Sequence, residues 1–207
     1  MNEELARYIE TEIIPRYDNF DKGHRRDHVE AVIRDSLEIA EHYPDVDKDM
    51  VYAIAAFHDT GLSAGREHHH EVSRDIILNH AELGKWFSRG QIETMAEAAE
   101  DHRASAGHEP RSIYGCIVAE ADRQIDPETV IRSIVQYGLA HYPEKSREGH
   151  FQRMCEHLEE KYAEGGYLKL YVPFSKNGAR LAQLRELIKD REWLRTEFDR
   201  FFDEGNK

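Results

Sequence analysis

The run Val51-Tyr52-Ala53-Ile54-Ala55-Ala56-Phe57 is apolar on every face and ends in His58-Asp59, just before Thr60-Gly61. A helix that is apolar all round has to be buried. Its end therefore carries an imidazole and a carboxylate into or beside the core, where unpaired polar groups are costly. A bound metal ion would satisfy both.

Nearly every other segment also reads at the helical period, and apolar/polar alternation is confined to a few residues around Tyr167-Leu168-Lys169-Leu170-Tyr171. The pattern predicts an all-α protein with helices near residues 3–16, 25–42, 47–59, 68–81, 88–102, 111–124, 127–141, 147–163 and 177–203. Turn-forming residues break the period at 79–84, 105–110 and 165–173. No Pro/Gly/Ser-rich linker divides the 207 residues, so one domain over 1–207 is expected, with a core at about 20–135 and a C-terminal helical extension at about 140–207. In that extension Leu181, Leu184, Leu187, Ile188, Trp193, Leu194, Phe198 and Phe201 recur at helical spacing, which describes one long amphipathic helix packed on the body or, alternatively, a homodimer seam.

With 28 Lys and Arg against 41 Asp and Glu, the net charge is -13. Extended nucleic-acid binding rests on clustered positive charge and is not expected here. Cys116 and Cys155 are the two cysteines and form no CxxC pair, so neither a disulfide framework nor a thiolate zinc site is suggested. The N-terminus has no signal-peptide pattern and no uncharged apolar run is long enough to cross a bilayer, which leads us to expect a cytoplasmic protein.

His24 and His28 lie four apart on one face of an expected helix that also presents Val32 inward. Taken alone, such a pair is more often a surface or hydrogen-bonded pair than a ligand pair. The triplet His68-His69-His70 opens the next helix but one, where neighbours diverge by roughly 100 degrees, so a single member can face a given site. His69 is the choice, because the small Ser73 one turn on allows close packing; exposed histidines are the plain alternative. The stripe Ile92, Met95, Ala96, Ala99 carries its period forward to His102, and Asp122 lies on the apolar side of a buried-looking helix beyond Tyr114 and Val118. A salt bridge from Asp122 to Arg123 or Arg103 is the alternative for that carboxylate.

The ordered set His28, His58-Asp59 followed by Thr60-Gly61, and Asp122 within Ala121-Asp122-Arg123 resembles the HD-domain superfamily of metal-dependent phosphohydrolases over roughly residues 20–135. The resemblance implies an all-helical core in which His28, His58, Asp59 and Asp122 bind a divalent metal. The further match of His69 and His102 resembles the subset of HD hydrolases that hold two metals, with Asp59 bridging them. His24, with Asp21 three residues before it, echoes single-metal bacterial HD proteins. One or two ions are therefore implied. Fe or Mn come first among them, with Co, Ni, Zn or Mg also compatible with imidazole and carboxylate donors. The Gly-Tyr-Pro signature of the cyclic di-nucleotide phosphodiesterases does not occur, and their substrate is not carried over.

The implied chemistry is hydrolysis of a phosphomonoester, phosphodiester or phosphoanhydride in a nucleotide or other small phosphorylated metabolite, with Asp59 and His24 as catalytic residues. His24 is the available general acid, since its ordinary pKa lies near neutrality. Arg66, Arg103 and Arg123 stand near the expected ligands and would meet substrate phosphate, or else pair with Glu67, Asp101 or Glu120. Asp27, Glu71 and Glu120 would orient imidazoles or simply be solvated. Tyr137, His141 and Tyr142 would stack on a base or serve as core. The competing functions are a di-iron redox enzyme of HD-like type and a non-catalytic nucleotide-binding module.

Overall fold

Every regular element in the computed structural model, which describes residues 1–20 and 23–205, is helical, and no strand occurs among the described residues. The backbone groups into two units: Met1–Arg123 together with Tyr171–Ser175, and Gln124–Leu170 together with the chain from Lys176 onward. No helix among the described residues is long and apolar enough to cross a membrane.

The first unit contains α1 (Glu3–Tyr8), α2 (Arg26–Ala40), α3 (Lys48–Phe57), α4 (His69–Leu78), α5 (Arg89–Glu100) and α6 (Ile113–Asp122). The apolar run makes α3 the central element: every residue from Met50 to Phe57 is buried, with α2, α5 and α6 packed around it. Each neighbour offers one stripe to that core, such as Val29, Val32, Ser36, Ile39 and Ala40 of α2 or Ile92, Met95, Ala96 and Ala99 of α5. Side-chain caps fix where these helices begin. The Asp47 carboxylate accepts the Asp49 and Met50 N–H groups, and Ser88 and Gln91 form a reciprocal capping box.

Three helices differ from the sequence expectation, two of them in this unit. The helix expected over 3–16 stops being α-helical at Tyr8 and continues as a π turn (Ile9–Ile13) and a 3-10 segment (Ile14–Asn19). Pro15 cannot donate to the carbonyl one turn back, and its ring collides with it. The helix expected over 25–42 begins at Arg26, which leaves His24 ahead of it rather than on its face.

The second unit contains α7 (Pro127–His141), α8 (Arg147–Tyr162), α9 (Asn177–Lys189) and α10 (Arg191–Gly205). The single helix expected over 177–203 is thus two. Asp190 leaves the helical region (φ -88, ψ 95), and its Oδ1 accepts the N–H groups of Glu192 and Trp193 at 3.1 and 3.0 Å. An N-capping carboxylate starts a new helix where periodicity alone sees a continuous one. The apolar residues Leu194, Phe198 and Phe201 of α10 are buried within this unit, where α10 packs on α7.

Candidate metal centre

Five helix ends of the first unit deliver six side chains to one place. His28 sits in the first turn of α2, His58 and Asp59 follow the last residue of α3, His69 opens α4, His102 lies just past α5, and Asp122 closes α6. Asp59 is the hub. Its Oδ2 lies 3.6 Å from His28 Nε2 and 3.3 Å from His58 Nε2, and its Oδ1 lies 3.4 Å from both His69 Nε2 and His102 Nε2. Asp122 Oδ1 joins the first side, 3.3 Å from His28 Nε2 and 3.7 Å from His58 Nε2. On the second side the two Nε2 atoms of His69 and His102 stand 3.1 Å apart. Two donor sets, His28 with His58 and Asp59, and Asp59 with His69 and His102, are each close enough together to hold one ion.

The same local device aims three of the imidazoles. Nδ1 of His58 faces Ala55 O at 2.7 Å, Nδ1 of His69 faces Arg66 O at 2.7 Å, and Nδ1 of His102 faces Ala99 O. In each case the acceptor is the carbonyl three residues earlier. A ring whose Nδ1 donates to a carbonyl presents an unprotonated Nε2, the tautomer a metal requires. Nε2 of both His28 and His58 is buried without a hydrogen-bond partner. Such orphaned nitrogens, converging on carboxylate oxygens at 3.3–3.7 Å, fit a cation between them better than they fit any hydrogen bond. The donor set therefore suits a divalent metal.

The floor of the centre is closed and one side is open. Side chains of His58, Asp59 and His102 are at most 3% exposed, whereas His28, His69 and Asp122 keep 14, 15 and 24%. Access is past these last three. Close packing sets the His69 side: the Gly61 N–H donates to the buried Ser73 Oγ at 2.9 Å, and a Cβ on Gly61 would stand 2.0 Å from His69 O.

Electrostatics favours positive charge between the carboxylates. Burial alone would raise the pKa of Asp59 and Asp122, yet the facing imidazoles hold both carboxyl groups well below the usual carboxylate range. Burial likewise opposes protonation of His28, and the facing carboxylates of Asp122 and Asp59 overcome it, raising His28 to about 9. His58 is raised well above its ordinary value against the same burial by Asp59 and Asp122. His69 goes the other way, down to about 4, because burial and the neighbouring His102 disfavour its cation.

The remaining expected residues are placed more diversely. His24 is half-buried ahead of α2, its ring edge-on to His28 at 5.5 Å; Asp21 lies outside the described residues. Arg66 is exposed, and its carbonyl serves His69. Arg103 donates to Glu67 O, to His70 Nδ1 (3.3 Å) and to Ser105 Oγ (3.0 Å). Arg123, expected as a substrate contact, is instead buried and donates to His102 O (3.1 Å) and Ala119 O. The buried Asp101 is taken by Arg111, through its N–H at 2.7 Å and Nε at 2.9 Å, and Glu120 by Tyr171 and Ser175. Backbone carbonyls rather than Asp27, Glu71 or Glu120 thus orient the imidazoles of His58, His69 and His102. Tyr137, His141 and Tyr142 belong to the second unit. Tyr137 stacks on His141 at 3.9 Å, and the Arg153 guanidinium lies over Tyr137 and Tyr142.

Tyr17 went unread in the sequence. Its fully buried hydroxyl donates to Ala56 O at 2.9 Å and accepts the Asp59 N–H at 3.3 Å, bracing the peptide that carries the hub. A tyrosine following Ile13-Ile14-Pro15 could have signalled a buried ring needing a partner for its hydroxyl.

An all-helical unit whose helix ends gather four imidazoles and two carboxylates defines the class: a helical protein with nitrogen and oxygen donor groups that could hold a metal. Residues 25–124 match the family model of the HD domain, and this part of the chain is a member of the HD-domain superfamily. HD domains typify a superfamily of metal-dependent hydrolases, and the His/Asp groups here fit metal binding. Neither the curated proteins nor the solved structures gave a significant match.

Proposed function

We propose that the protein is a two-metal phosphohydrolase acting on a nucleotide or another small phosphorylated metabolite. The observation that carries this reading is Asp59, whose two carboxylate oxygens each face a separate pair of imidazoles. His28, His58, Asp59 and Asp122 would hold one ion, and Asp59, His69 and His102 the other, with Fe or Mn foremost. Divalent ions held by these residues would supply a water nucleophile of lowered pKa and offset the charge of a phosphoryl group.

The chain's own residues divide the remaining work. The buried floor of His58, Asp59 and His102 excludes bulk water, so the substrate enters past His28, His69 and Asp122. His24, whose ring meets that of His28, would pass a proton to a leaving oxygen. Arg66 and Arg103 flank the His69 and His102 side and offer guanidinium forks to phosphate. The same donor set also suits two irons, so oxygen activation by a di-iron site is the second reading.

The test is elemental analysis of protein purified without chelator, alongside a His69→Ala/His102→Ala variant, followed by turnover of p-nitrophenyl phosphate, bis(p-nitrophenyl) phosphate and a nucleotide panel. About two ions per chain falling to about one, with phosphate release that a chelator abolishes, supports the proposal. Oxygen consumption with a mixed-valent iron spectrum and no phosphate release would replace it with the redox reading. A wild type that takes up no metal on reconstitution would leave a nucleotide-binding module.

A further inference from the structure

Arg123 follows Asp122 directly, yet it is 5% exposed. Its Nη1 donates to two carbonyls at once, His102 O at 3.1 Å and Ala119 O. Both lie where helices run out of internal donors: Ala119 in the last turn of α6, His102 just beyond the end of α5. Terminal carbonyls of this kind carry the negative end of the helix dipole, which a buried cation complements. One guanidinium therefore ties together the ends of the two helices that supply His102 and Asp122.

The cover over this cation comes from the Tyr171–Ser175 segment. The Tyr171 ring lies 5.5 Å from the guanidinium carbon, within the range of a cation–π contact. The segment is itself clamped by the fully buried Glu120, whose Oε2 accepts the Tyr171 N–H at 2.7 Å and whose Oε1 accepts the Ser175 hydroxyl. Three nearly adjacent residues at the end of α6 thus act in sequence: Glu120 holds the cover, Asp122 faces the centre, and Arg123, just past the helix, reaches across to His102.

We infer that Arg123 is a positioning residue: it fixes His102 relative to Asp122 across Asp59 and so sets the spacing between the two halves of the metal centre. The inference rests on the proposed two-metal reading. The His102 ring is already tied to Ala99 O, but its backbone lies past the last turn of α5, where no helical hydrogen bond holds it. Arg123 supplies that restraint. Loss of a group that orients a ligand typically costs 10–100-fold in metal affinity, and here the loss should fall on the second ion.

The experiment compares wild type, Arg123→Gln and Arg123→Lys in three measurements. In chelator-stripped protein, amide exchange at residues 100–104 should quicken about tenfold or more in Arg123→Gln while α2 is unchanged. On titration with Mn, the second ion should bind about tenfold or more weakly while the first is unaffected, and Arg123→Lys should recover part of the loss. KM for bis(p-nitrophenyl) phosphate at saturating Mn should stay within about twofold. Wild-type exchange and metal binding with a raised KM would make Arg123 a substrate contact and overturn the inference. Equal weakening of both ions with general loss of helix would also overturn it, reducing Arg123 to a core residue. Quickened exchange at 100–104 in a protein whose wild type binds no Mn would instead fail the two-metal reading while leaving Arg123 as the anchor of His102.

Discussion

Gly61→Ala isolates the His69 half of the centre. The added Cβ would lie 2.0 Å from His69 O, 2.6 Å from Ser73 N and 2.9 Å from His69 C, all backbone atoms that no rotamer change can move aside. Ordinary contact begins at 3.4 Å, so α4 has to retreat by roughly 1.4 Å, the kind of overpacking that costs about 1–3 kcal/mol. Because backbone meets backbone, the upper end of that range, about 3 kcal/mol, is expected. That is within the stability of an ordinary domain, about 5–15 kcal/mol, and the variant should fold. Metal ligands tolerate about 0.2 Å, far less than the shift of His69, whereas His28, His58, Asp59 and Asp122 stand on other elements. Urea denaturation of the metal-free protein should show the lost stability, and elemental analysis should find about one ion where the wild type holds two. Gly84→Ala, whose Cβ meets nothing within 4 Å, is the control. Two ions per chain in Gly61→Ala, with stability within about 0.5 kcal/mol of wild type, would refute the close-packing account of His69.

Asp59→Asn should empty both halves and Asp122→Asn only the first, because a neutral amide cannot serve as the shared anionic donor; elemental analysis of the two variants decides it, and equal losses would remove Asp59 from the hub. Tyr17→Phe strips a hydrogen bond from both Ala56 O and the Asp59 N–H, with an expected cost of about 1–3 kcal/mol for buried groups left unsatisfied; an unchanged urea midpoint would show that water takes over. In the second unit, burial and the nearby cations Lys161 and Arg153 push His157 down to about 4. The unfolded chain, with an ordinary value near 6.5, then binds the extra proton, so stability is full above about pH 6.5 and declines toward pH 4. For a partly exposed ring the decline should be of order 1–2 kcal/mol, and His157→Gln should remove it from a pH series of urea melts.

Burial of α3 and the positions of the six clustered side chains were legible because they depend on short-range facts: an apolar run with no polar face, and residues placed where a helical stripe ends. What they touch was not. Spacing offers Arg103, two residues on, as one partner for Asp101, whereas Arg111 folds back to it across the loop after α5, a contact decided by chain path rather than period. Pro15 and Asp190 broke helices that periodicity had joined, the proline by losing a backbone hydrogen bond and the aspartate by capturing two backbone N–H groups, to which hydrophobic spacing is blind. His24 kept its place beside His28 although the helix meant to align them starts two residues later.

The orientation of the imidazoles shows why acidic neighbours misled. Asp27, Glu71 and Glu120 looked like orienting groups because a carboxylate behind a histidine is a common way to fix its tautomer. Here His58, His69 and His102 each use the carbonyl three residues back, an acceptor that any residue type supplies and that leaves no mark in the sequence. A carbonyl carries no net charge, so it fixes the ring without adding to the negative charge already concentrated on Asp59 and Asp122. The carboxylates that do reach the centre are then left to face the space between the imidazoles, and Glu120 has a different task, holding the Tyr171–Ser175 segment over Arg123.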